Sequence, residues 1–232
     1  MPKRWIDQLW ERHYQQPQLS RTVEIVRQIT AHNAFTPAFQ HFRFYADGTE
    51  SGSSPYGGAA EDANVTVDVS SGDVQIQLRL MIEETGGDTN GSSSDNWALL
   101  YDIDGAATFA GIYGATHELE HDAGSTLTDD AATTNRATNG LTDGAGTFVA
   151  GRQETNGQIN NHQITAGDYT EHVYGLLVLA ANVNNGTTLD FEFALNGGSP
   201  GMTNNVTPRI TIVKSAPSAS PSLEPSKIVR SW

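Results

Sequence analysis

The chain has 232 residues, 37% of them apolar and 17% charged, with no cysteine and a formal net charge of −14. Both shares fall below the usual level for globular chains, and Thr, Asn, Gly, Ser and Asp fill the gap, which favours turns and half-solvated strands over coiled coils, helical solenoids or membrane spans. The missing cysteines exclude disulfides, thiolate zinc sites and cysteine nucleophiles, while residues 44–213 carry a net of −19 that repels nucleic-acid phosphates and anionic lipid heads, so neither nucleic acid nor a membrane is an expected partner.

Residues 1–36 read as an N-terminal arm with a weak positive balance. Trp5, Ile6, Leu9 and Trp10, with His13, recur at helical spacing and predict two turns of amphipathic helix before Pro17. So short a helix is marginal alone in water, and its two tryptophans need a surface to pack on: their own domain or another subunit. Val23 to Ile29 reads as a strand and Thr30 to Pro37 as a linker. The first residues lack the apolar run of a secretory signal, so the chain is expected to be made without one.

Residues 37–213 read as β throughout. Phe42 and Phe44 flank Arg43; Val65, Val67 and Val69 alternate with Thr66 and Asp68; Val74, Ile76, Leu78, Leu80 and Ile82 alternate with Gln75, Gln77, Arg79 and Met81. Tyr174 to Leu179 reads as a central strand buried on both faces. Leu189, Phe191, Phe193 and Leu195 alternate again, and Ile210 and Ile212 close the series. A period of two places one face of each strand on a core and the other in water. Asn-Gly and Asp-Gly pairs such as Asp104-Gly105, Asn139-Gly140, Asn156-Gly157 and Asn185-Gly186 supply the positive φ angles of tight turns. The expected fold is all-β: nine or ten strands in an antiparallel β-sandwich or jelly roll with extended N- and C-terminal arms. Residues 214–232 form a Ser/Pro-rich tail that ends in Ile228-Val229-Arg230-Ser231-Trp232, an apolar patch on a flexible spacer.

The sharpest enzymatic signal is His117-Glu118-Leu119-Glu120-His121, which satisfies the zincin pattern H-E-x-x-H. That chemistry needs a helix, so that both imidazoles reach one zinc while the glutamate activates its water. Gly114 before the motif and Gly124-Ser125-Thr126 after it leave too few helix-forming residues, and the position of a third ligand holds Leu127. The segment is therefore read as a loop or strand. Asp102-Ile103-Asp104-Gly105 is a fragment of a calcium loop without its remaining ligands, read as a turn. Acidic loops such as Thr128-Asp129-Asp130 could hold calcium only by converging in space. No catalytic residue, metal or cofactor is assigned.

The succession Phe42 to Glu50, Ala59 to Val69, Leu141-Thr142-Asp143-Gly144, Gly146 to Gly151, Asp168 to Glu171, Asn196-Gly197-Gly198 and Val206 to Ile212 resembles a family of β-rich virion structural proteins of tailed bacteriophages, of decoration or tail-appendage type. The likeness covers about 39–213 and rests on turn-and-strand phrases. It implies a non-enzymatic virion protein, assembled in the host cytoplasm, whose partners are the major capsid protein or other virion proteins and copies of itself. A capsid decoration role is favoured, with Trp5, Ile6, Leu9, Trp10 and Trp232 as partner anchors. The alternatives are a tail-fibre or tail-tip component, or a lectin-like module for host-surface glycan that stacks sugars on Tyr56, Trp97 or Tyr113.

Overall fold

The computed structural model describes residues 35–88, 96–112, 117–195 and 202–215. The expected helix around Trp5, the strand at 23–29 and the C-terminal apolar patch lie outside them. Twelve strands occur in chain order: β1 (Pro37–Ala46), β2 (Val65–Asp68), β3 (Val74–Glu84), β4 (Asn96–Ile103), β5 (Ala110–Gly111), β6 (Leu119–His121), β7 (Phe148–Glu154), β8 (Ile159–Asn160), β9 (Tyr169–Val178), β10 (Thr188–Leu195), β11 (Thr203–Asn204) and β12 (Arg209–Val213). They form two six-stranded sheets packed as a β-sandwich. The first runs β11-β1-β3-β9-β6, with β7 also on β9; the second runs β2-β12-β10-β4-β5, with β8 also on β4. Pairing is mostly antiparallel, but β1–β11, β2–β12 and β7–β9 are parallel.

The inner faces follow the alternation in the sequence. Ile76, Leu78, Leu80, Ile82, Tyr174, Leu176 and Val178 meet Val65, Val67, Trp97, Leu99, Leu189, Phe191, Phe193, Ile210 and Ile212 in one core. Each large apolar side chain so buried contributes roughly 1.5–3 kcal/mol of transfer free energy. In β1 the register shifts between Phe39 and His41. This bulge brings Phe39 onto the same face as Phe42 and Phe44, although their numbers break the period of two. At Asp104-Gly105 both residues take positive φ (53° and 70°), the turn geometry the pair predicts.

The outer face of the first sheet departs from the expectation of a solvated side. Gln77, Arg79, Met81 and Glu171 are all buried there. The cause is residues 122–147, a strap without strands between β6 and β7 that crosses this face. Leu141 packs on Met81 and Tyr169. Beneath the strap Arg79 (1% exposed) bonds to Glu171 (0% exposed), to Glu50 at 2.7 Å and to the carbonyl of Thr134. Carboxylates hold the rest: Asp47 accepts from the Thr126 and Ser125 hydroxyls (2.6 and 2.7 Å), Glu50 from the Thr134 N–H (3.0 Å), Glu61 from the Thr142 N–H (2.8 Å) and Glu83 from the Ala145 N–H (3.2 Å). Where the strap returns into β7, a Cβ on Gly151 would sit 1.9 Å from the Glu171 carbonyl oxygen, so only glycine allows that approach.

Removing one partner of a buried ion pair leaves an uncompensated charge, at a cost of about 3–5 kcal/mol. Arg79→Ala is expected to lower the free energy of unfolding by that order in urea titration and to open the strap to limited proteolysis. A variant with wild-type stability and an intact strap contradicts the role given to Arg79.

Candidate functional site

The sequence-predicted site residues fare differently. Trp5, Ile6, Leu9, Trp10 and Trp232, as well as Tyr113, lie outside the described residues. Trp97 is no sugar platform: it is 0% exposed, stacks on Phe193 at 5.7 Å and donates from Nε1 to the His162 carbonyl at 3.0 Å. Tyr56 sits half-buried in a 3-10 turn, packed against the core.

The H-E-x-x-H segment is extended. Leu119–His121 forms β6 on β9, and Leu119 is a core residue. His117 and Glu118 lie in a bend ahead of β6, and an extended chain rises about 3.3 Å per residue, so two histidines four positions apart are not stacked one helical turn from each other as zinc would need. Glu118 accepts from the Tyr101 hydroxyl at 3.3 Å. His121 lies beside the Tyr174 ring, and burial lowers it to about 4. Asp102 accepts from the Ala107 and Thr108 N–H groups (2.9 and 3.2 Å) and Asp104 from the Thr188 N–H (2.8 Å), so this calcium-like fragment serves as a turn.

Among the described residues, one group of three His, Asp or Glu ligand atoms converges within 4.8 Å: His41, Glu61 and Asp62. Sequence reasoning missed it, since His41 lies 21 residues from Asp62. His41 Nδ1 bonds to Asp62 at 2.8 Å and faces Glu61 at 3.3 Å. Both Glu61 oxygens already accept from Thr142, Asp62 accepts from the Phe42 N–H, and Arg43 stands 4.0 Å from Glu61. The cluster locks β1 to the loop before β2 and to the strap. Its lone pairs are engaged there, and the nearby guanidinium opposes a cation.

A second grouping lies where the two sheets part. β7 belongs to the first sheet and β8 to the second, and the chain crosses between them at 155–158. Here a cleft of about 720 Å³ is lined by Asp129 and Asp130 from the strap, Arg152 and Glu154 from β7, and Asn156, Gly157, Gln158, Asn160 and Asn161 from the crossing and β8. Glu154 is its buried member (6% exposed). Burial pushes Glu154 above the usual glutamate range, and the negative charge of the neighbouring Asp129 adds to the rise. Asp129 in turn accepts from the Thr155 N–H and hydroxyl (3.1 and 3.3 Å). The sequence marked Asp129-Asp130 as an acidic loop and Asn156-Gly157 as a turn, but gave no sign that they meet.

Two further histidines are buried near Trp97. The rings of His162 and His172 meet edge to face at 4.9 Å, and His172 Nδ1 accepts from the Arg152 N–H at 3.0 Å. That bond places the proton of the neutral His172 ring on Nε2. Burial lowers His162 to about 4 and His172 well below its ordinary value.

Comparison with protein-family models, with curated proteins and with solved structures finds no match to this chain.

The histidine pair sets a pH dependence. Below 6.5 the unfolded chain protonates His162, whereas the folded chain holds it neutral down to about 4. Stability is therefore lost as pH falls through that window, by on the order of 3 kcal/mol for this one group. Urea unfolding followed from pH 6.5 to 4 is expected to show this decline, and His162→Gln is expected to flatten it. An equal slope in the variant contradicts the assignment.

Proposed function

We propose that this chain is a non-enzymatic structural protein of a tailed-phage virion: a decoration protein on the head surface, docked on the major capsid protein through its terminal arms and repeated as a symmetric oligomer. The supporting observation is the distribution of anchors. Among the described residues the only exposed large hydrophobic is Val213 (37%). The described residues of the body thus offer no apolar patch of the size that marks a protein interface. Its one tryptophan is in the core, while Trp5, Trp10 and Trp232 all lie in the terminal segments. Tryptophans bury about 150–250 Å² each. Three of them, with Ile6 and Leu9, approach the roughly 800 Å² per partner of a stable interface. The mildly cationic ends also complement an acidic shell, to which a body of net −19 cannot itself adhere.

Further support comes from how the body spends its chemistry. The segment most like a catalytic motif runs from a bend into the short edge strand β6, where Leu119 is buried in the core, and most of the acidic side chains described above hold loops in place. No helix among the described residues is long and apolar enough to cross a membrane.

Deleting residues 1–14 is expected to leave the unfolding transition of the body unchanged while abolishing incorporation into particles, read by immunolabelling of purified virions. Trp5→Ala with Trp10→Ala is expected to reduce it at least about tenfold, as befits aromatic hot spots. Normal incorporation of the truncated chain overturns the anchoring role.

A further inference from the structure

We propose that the cleft between β7 and β8 binds a neutral polyhydroxyl ligand, a saccharide with vicinal hydroxyls, through Asp129, Arg152, Glu154, Asn156 and Asn161. The inference stands on the cleft alone and does not rest on a virion role.

Size and shape come first. A volume of about 720 Å³ lies within the roughly 300–1,000 Å³ of small-molecule sites. The walls are set before any ligand arrives. Asp130 donates its N–H to the Gln153 carbonyl at 2.9 Å, and Gln153 returns one to Ala131 at 2.8 Å. Asn156 donates its N–H to Glu154 at 2.7 Å, and Arg152 Nη1 donates to the Asp130 carbonyl at 3.0 Å. Preorganisation of this kind lowers the entropic cost of binding.

The lining then selects among ligand classes. It contains no aliphatic or aromatic side chain, which disfavours an apolar ligand. Three carboxyl groups against one guanidinium disfavour a phosphate or other anion. A divalent cation needs oxygens that converge, and Asp129, Asp130 and Glu154 do not form such a group, in contrast to His41, Glu61 and Asp62. What remains is a dense alternation of donors and acceptors around a buried carboxyl. Among the described residues, the side-chain amides of Asn156 and Asn161 have no protein partner, and each offers a donor and an acceptor to the cleft. Carboxylate and amide oxygens accept from sugar hydroxyls; amide and guanidinium N–H groups donate to them. The lack of an aromatic stacking face implies millimolar rather than micromolar affinity for a single sugar unit.

The test uses the full chain, isotope-labelled for NMR, titrated through the millimolar range with methyl glycosides of glucose, galactose, mannose and N-acetylglucosamine and with their short oligomers. Calcium chloride and inorganic phosphate are titrated in parallel. At least one sugar is expected to shift the side-chain amides of Asn156 and Asn161 and the backbone of 154–161 saturably. The Asn156→Ala, Asn161→Gly double variant changes two exposed positions, with glycine at 161 because that residue holds a positive φ of 55°. It is expected to weaken that sugar by about tenfold or more while the rest of the spectrum stays in place. Shifts caused by calcium or phosphate but by no sugar overturn the proposal, as do sugar shifts confined to another surface or unchanged affinity in the double variant.

Discussion

A guanidinium buried beneath a loop is the constraint on which this fold turns. Arg79 stands on the outer face of β3, diagonal to Glu171 on β9, with Glu50 closing over it. A charge with 1% exposure survives only where opposite charge and acceptors surround it. Each of its three nitrogens donates to one: Nε to Glu171, Nη1 to Glu50 and Nη2 to the Thr134 carbonyl. The last of these belongs to the strap, so burial of Arg79 and closure of the strap are one event. A sandwich with one solvated flank thereby becomes a three-layered body: second sheet, first sheet, strap.

The large acid surplus takes on a different meaning in this light. By composition it reads as a solubilising surface. In the structure many of the carboxylates are acceptors for loop amides and hydroxyls. Burial alone would raise Asp47, Glu50 and Glu84, but hydrogen bonds from Thr126, Thr134 and Gly167 among others outweigh it and hold all three below their usual values. Loops rich in Gly, Ser and Thr offer many N–H and O–H donors and few apolar side chains. Aspartate and glutamate on neighbouring strands hold such loops where a hydrophobic contact could not.

Much of the sandwich is legible in the sequence. Val65, Val67, Val69 and Leu189, Phe191, Phe193 alternate cleanly because their strands have one face on the core. Tyr174 to Leu179 reads as buried on both faces; Tyr174, Gly175, Leu176 and Val178 are buried, whereas Leu177 and Leu179 are half-buried. β3 misleads: its pattern Val-Gln-Ile-Gln-Leu-Arg-Leu is that of a half-exposed strand, and Gln77 and Arg79 are buried only because residues far along the chain supply partners. The bulge in β1 hides Phe39 for the same reason that any register shift does. The cleft could not be read at all, since Asp129 and Glu154 belong to separate segments and meet only through the parallel pairing of β7 on β9 and the return of the strap.

The central claim is that carboxylates and one buried arginine, rather than apolar contacts, keep the strap closed on the first sheet. Native-state hydrogen exchange of the amides of Thr126, Thr134, Thr142 and Ala145 tests it most directly. The account predicts protection comparable to that of β3 and β9, because these N–H groups are bonded to side chains of the folded body. Exchange at the rate of an unstructured peptide, while β3 and β9 remain protected, would contradict it.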